Sequence, residues 1–130
     1  MRGLLKTALR VVLALFFVGA GVNHFVRTGF YLRMMPAYVP WHLASVQISG
    51  VAEIVLGVLL LVPMTSVAAA WGLIALLIAV FPANVQMALH PETFPEFTPT
   101  ALWLRLPLQF VLITWACWYT GKNRRVRGDR

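Results

Sequence analysis

Apolar residues run along this chain in four long blocks, interrupted by short polar or proline-rich stretches. The pattern is neither the strict alternation of a half-buried strand nor the narrow stripe of a surface helix. The blocks cover roughly 7–25, 42–62, 67–89 and 101–119. Each is long enough to cross a hydrocarbon core of about 30 Å, which takes about 20 helical residues. Because lipid offers backbone groups no hydrogen bonds, such blocks should be helices and not open strands. The predicted fold is all-α, a transmembrane four-helix bundle forming a single domain over 1–130. Only "PMTS" separates the second block from the third, which forces a tight antiparallel hairpin. The other connections, "VRTGFYLRMMPAYVPW" and "HPETFPEFTP", are longer and rich in proline and aromatic residues. In the first of them a short interfacial helix is predicted around Phe30 to Met35, placed to cap the bundle from outside. Pro36 ends it, since the residue before a proline avoids the helical region.

Composition agrees with this reading. Of 130 residues, 60% are hydrophobic and only 12% charged, which is the balance of a membrane protein. The net charge of +7 sits mostly at the ends, on Arg2, Lys6 and Arg10 and on Lys122, Arg124, Arg125, Arg127 and Arg130. Beside a hydrophobic helix, such clusters reflect retention of Lys and Arg on the cytoplasmic side, so nucleic acid is excluded as a partner and the lipid bilayer is expected. Four spans put both termini on one side. That side also holds the short hairpin, while Arg27, Arg33 and Arg105 lie toward the other, so both termini are predicted to be cytoplasmic. The opening "MRGLLKTALRVVLALFFVGAGV" also has the layout of a signal peptide and is read as a retained first span. Tyr31, Tyr38, Trp41, Phe94, Phe97 and Trp103 are expected as outer interface anchors, mirrored by Trp71, Trp115, Trp118 and Tyr119 inside. Cys117 stands alone, which excludes an internal disulfide or a CxxC couple.

A few polar residues inside the spans then demand a reason. Glu53 is the twelfth of about 21 residues in the second span, roughly 17 Å below its outer end and near mid-bilayer. A charged acid at that depth costs about 2.5 to 3.5 kcal/mol even on a lenient insertion scale, so it should face the bundle interior and be paired or protonated. Ser49, Glu53 and Gly57 recur one turn apart with Gly50 alongside, a small-residue face that lets another helix approach. Arg105 lies about 6 Å down the fourth span with Gln109 one turn deeper on the same face. It can stretch to Glu53 across a vertical gap of roughly 10 Å, or snorkel outward. Asn23 and His24 end the first span, and Asn84 and Gln86 follow Pro82 near the outer end of the third. Pro82 frees the carbonyl of Ile78 and should kink the helix there. Asn23, His24, Glu53, Asn84, Gln86, Arg105 and Gln109, with Gln47 nearby, therefore fall at overlapping depths and predict a polar ligand-binding pocket.

No HExxH, paired acids, phosphate loop or haem-attachment spacing occurs, so neither a metal site nor catalytic residues are predicted. The segments "GAGVNHFVRTGFYLRMMPAYVPWH", "SGVAEIVLGVLLLVP", "WGLIALLIAVFPANVQMALHPE" and "LWLRLPLQFVLITWACWYT" resemble the bacterial DoxX family over roughly Ala20 to Thr120. The resemblance implies a small four-helix protein of the bacterial inner membrane, in a family linked to a quinol oxidase and to thiosulfate and quinone metabolism. Relatives that handle thiol redox carry paired cysteines, unlike this chain. Three roles follow as alternatives. The first is a redox-accessory protein binding a quinone-like or other amphipathic molecule, with Arg105, His24 and Asn84 donating hydrogen bonds and Glu53 handling a proton. The second is a non-catalytic module that assembles a larger membrane or respiratory complex, or pairs with copies of itself. The third is a small transporter or lipid-binding protein, which with four helices would need an oligomer.

Overall fold

A computed structural model of the chain describes residues 2–121. The basic tail from Lys122 to Arg130 lies outside the described residues. Five helices follow one another, α1 over Arg2–Val26, α2 over Thr28–Met34, α3 over His42–Leu61, α4 over Ser66–Leu89 and α5 over Pro99–Cys117. No strand occurs among the described residues. The helices α1, α3, α4 and α5 are each long and apolar enough to cross a membrane, which makes the chain a multi-pass membrane protein. Large apolar side chains such as Leu15, Phe16, Ile48, Ile78 and Phe110 cover their outward faces, as lipid contact requires.

Local chemistry sets the ends of these helices. The residues between Leu61 and Ser66 form the expected tight turn, in which the carbonyl of Leu59 accepts from both the Val62 amide and the Thr65 hydroxyl where α3 stops. At the start of α5 the Thr98 hydroxyl accepts from the amide of Ala101, with Pro99 in the first turn, where its missing donor costs nothing. Helix α3 begins differently. Trp41, between Pro40 and His42, takes a left-handed backbone conformation with φ of 50°, which aims α3 back into the bundle while the indole stays outside. The predicted helix after the first span is α2, and Met35 leaves the helical region just before Pro36.

Packing divides the interior into two dry clusters. On the side of the termini, Leu13, Phe17, Leu60, Leu73 and Tyr119 are almost wholly buried together. On the opposite side a smaller cluster of Met34, Met87, Phe94 and Leu102 lies under α2. The closest approach is between α1 and α3, where a Cβ on Gly21 would lie 2.5 Å from the Gly50 oxygen and one on Gly57 would lie 2.9 Å from Val18 Cγ2. This is the small-residue face expected around Glu53. A second proline, Pro107, interrupts the ladder of α5 as Pro82 does that of α4.

Three expected interface anchors belong to the interior, two of them in the longer connections. Phe94 is fully buried in the outer cluster. Tyr31 is part-buried, its ring 4.0 Å from that of His24. Both owe this to the fold of their connections, which turn back over the bundle and do not lie along the bilayer surface. Tyr119 is likewise buried, its hydroxyl donating to the carbonyl of Lys6 and so tying the end of α5 to α1. Tyr38, Trp41 and Trp103 remain exposed.

Candidate functional site

Between the two dry clusters lies a cavity of about 320 Å³, roofed by Tyr31 and Met34 of α2 and walled by all four long helices. Its walls are mostly apolar, from Phe17 on α1 to Leu77 and Val80 on α4 and Leu108 and Leu112 on α5. Two separate polar groups interrupt them.

The first group joins α1 to α3. Glu53 faces inward and is buried, with its Oε2 at 3.1 Å from His24 Nε2. The other ring nitrogen, Nδ1, is 3.0 Å from the carbonyl oxygen of Val46 and 3.2 Å from Ser49 Oγ. A carbonyl can only accept, and the Ser49 hydroxyl itself donates to that same carbonyl, so Nδ1 carries a proton. The pair needs a second proton, because the lone pairs of Nε2 and Oε2 would otherwise repel at that distance. Whichever atom holds it, imidazole and carboxyl together are neutral. The contact is nevertheless off the ring axis, and Oε2 makes no aligned hydrogen bond. Tyr31 covers the outer face of the imidazole, and Asn23 holds Tyr31 by donating from Nδ2 to its hydroxyl at 2.8 Å.

The second group joins α4 to α5. Arg105 Nε donates to Asn84 Oδ1 at 3.2 Å, Asn84 Nδ2 donates to Gln109 Oε1 at 2.6 Å, and Gln109 Nε2 donates to the carbonyl of Leu77. A guanidinium only donates and a carbonyl only accepts, so the direction of both amides in this relay is forced by its ends. The Leu77 carbonyl lies one residue before the carbonyl that Pro82 leaves without its helical donor. Here α4 does present backbone polarity to the interior. Beyond Nε, Arg105 makes no hydrogen bond to any described residue, and its side chain lines the cavity.

His24, Glu53, Asn84, Arg105 and Gln109 thus line one cavity, and of the two courses open to Arg105 the structure shows no bridge to Glu53. Glu53 is matched with His24 and not with Arg105, whose one bonded donor reaches Asn84 instead. Asn23 supports Tyr31 from behind and does not line the cavity. Gln86 lies two residues past Asn84, so when Asn84 points inward Gln86 points elsewhere, and Gln47 is exposed. Ser49, read as a packing residue, and Tyr31, read as an anchor, are both part of the site. His42 meets the carbonyl of Pro36, and His90 lies beside Glu92, so neither joins His24.

A second feature closes the roof. Arg33 of α2 pairs with Glu96 at 2.6 Å, donates to the carbonyl of Thr93 at 2.8 Å and lies over the rings of Phe30 and Phe94. Its guanidinium, by hydrogen bonding, holds the Glu96 carboxyl below the ordinary carboxylate range. The roof is therefore pinned to the connection between α4 and α5.

These observations define a multi-pass helical membrane protein with a partly open, mostly apolar cavity carrying two polar groups. Residues 13–120 match the family described as a domain of unknown function, DUF8561, and the chain belongs to that family. No curated protein and no solved structure matches it.

Proposed function

We propose that the protein binds an amphipathic small molecule between its helices, with a quinone-like head as the first candidate, and serves as an accessory to membrane redox chemistry. One observation carries this reading. The buried acid Glu53 and a guanidinium with donors to spare, Arg105, line the same mostly apolar cavity. A head with an acceptor at one end and a hydroxyl at the other would satisfy both. The proton held by the His24 and Glu53 pair gives that end the means to exchange one with a bound hydroxyl or carbonyl. The volume is at the lower end of the range for small-molecule sites, and aromatic and aliphatic walls suit a flat ring or a chain. The DoxX resemblance supports a redox setting in a bacterial inner membrane, and the Lys and Arg distribution supports cytoplasmic termini.

The test is equilibrium binding by purified protein in nanodiscs, using a short-tailed quinone, its quinol and a panel of single-chain amphiphiles, followed by fluorescence and by mass spectrometry of what remains bound. Saturable binding that weakens in both Glu53→Gln and Arg105→Leu is expected. Wild-type protein that takes up none of these molecules saturably refutes the proposal.

A further inference from the structure

Charge within the cavity narrows the class of ligand. Among the described residues the acids are Glu53, Glu92 and Glu96, and each already has a partner, in His24, His90 and Arg33 respectively. Arg105 has none. Its only hydrogen bond to a described residue is to a neutral amide, and that amide passes the interaction to another neutral amide and then to a backbone carbonyl. The His24 and Glu53 pair is neutral as a unit, for the reason given by its hydrogen bonds, so it offers Arg105 no compensating charge. A guanidinium does not release its proton under ordinary conditions. The cavity therefore carries one positive charge, that of Arg105, among mostly apolar walls.

We infer that the occupant of this pocket is a single-chain amphiphile with an anionic oxyanion head, a carboxylate or a phosphate monoester, seated on the guanidinium of Arg105 with its chain along Phe17, Leu77, Val80 and Leu108. The inference rests on the amphiphile-binding function proposed above and puts an anionic head in place of the quinone-like one. Arginine is suited to it because the planar fork meets two oxygens of one oxyanion at once. Nε is occupied by Asn84, which leaves the outer edge of the guanidinium, formed by the two Nη groups, to face the ligand. The relay through Asn84 and Gln109 to the Leu77 carbonyl fixes the plane of that edge, so Asn84 and Gln109 are positioning residues. A volume of about 320 Å³ accommodates a head and part of one chain, and not the two chains of a phospholipid.

The experiment compares laurate, dodecyl phosphate, methyl laurate and acetate as ligands of the full chain in nanodiscs, with partition into empty nanodiscs subtracted. Hydrogen bonds to a charged group add enough that one or both anions should bind roughly ten- to hundredfold more tightly than methyl laurate. The relative affinity of laurate and dodecyl phosphate identifies the oxyanion. Arg105→Gln should remove the difference between acid and ester, and Arg105→Lys, which keeps the charge and loses the fork, should retain part of it. Equal affinity for laurate, dodecyl phosphate and methyl laurate in the wild-type protein overturns the inference while leaving an amphiphile pocket intact, and that comparison needs no variant to fold. Acetate binding as tightly as laurate also overturns it, by showing a small-anion site. Failure of every amphiphile to bind removes the pocket reading itself.

Discussion

Alanine in place of Gly21 and alanine in place of Gly19, two positions apart on α1, should change stability with opposite sign. A Cβ at Gly21 would lie 2.5 Å from the backbone oxygen of Gly50 and 2.7 Å from Ile54 Cγ1. Ordinary contact starts at 3.4 Å, so α1 and α3 must part locally by the difference between 2.5 and 3.4 Å, about 0.9 Å. The Ile54 side chain can swing aside, but the Gly50 carbonyl belongs to the hydrogen-bonded ladder of α3 and cannot. Overpacking against such a neighbour costs about 1–3 kcal/mol. Alanine recovers at most about 1 kcal/mol through its better helix propensity, so a net loss of up to ~2 kcal/mol is expected. At Gly19 nothing lies within 4 Å, and only the propensity gain remains.

The strain at Gly21 also reaches the site. His24 follows Gly21 by three residues on α1, and Glu53 follows Gly50 by three on α3, so the same parting would stretch the 3.1 Å contact of the pair to about 4 Å. Thermal unfolding in a mild detergent should place Gly21→Ala below the wild type by several degrees and Gly19→Ala level with or above it. Ligand affinity should fall with the first substitution and not with the second. If Gly21→Ala unfolds at the same temperature as Gly19→Ala or above it, the close approach of α1 and α3 is not what holds the acid and the imidazole together.

Further outcomes concern the polar groups. His24→Leu strands the buried Glu53 and should cost about 3–5 kcal/mol in detergent unfolding, whereas adding Glu53→Met should recover most of it; a double variant no more stable than the single one would contradict the pairing. Asn84→Leu leaves Arg105 Nε and Gln109 Oε1 without their partners and should cost about 1–3 kcal/mol, against which an unchanged melting temperature would count. The Arg33 and Glu96 contact is exposed and should be sensitive to acid. Because Glu96 is held below its ordinary value of 4.5 in the folded protein, its contribution is fully present above that value and is lost as pH falls through the lower, folded one. The difference in melting temperature between wild type and Glu96→Gln should accordingly vanish on acidification, and a gap that stays constant would show that Arg33 is indifferent to the charge.

How far the site is legible in the residues depends on what fixes the place of each. The four long helices follow from hydropathy, since the bilayer fixes length and backbone state, but not their ends: α1 starts at Arg2 and not near residue 7, and α5 runs over Pro99–Cys117 and not 101–119. That Glu53 points inward follows from its depth and from the small residues one turn either side of it. Arg105 and Gln109 share a face by their spacing of four, and they do line the cavity together. The same rule separates Asn84 from Gln86, since residues two apart point to nearly opposite sides of a helix. It does not divide the adjacent Asn23 and His24, because adjacent residues such as Leu108 and Gln109 do line the cavity together. The partner of Glu53 is a different matter. Matching charges by depth selects Arg105, the basic residue of a span nearest to Glu53 in depth, and passes over His24, which is counted as neutral and lies at a helix end. The choice turns on which helices touch, and here the glycines of α1 and α3 draw those two together so closely that His24 reaches the acid first. Tyr31 is beyond the reach of periodicity for a related reason, since its place over His24 depends on the turn after Val26 that folds α2 back across the bundle. With His24 taken by Glu53, Arg105 is left holding its charge toward the cavity. The tight packing of one helix pair thereby decides what the other pair can offer a ligand.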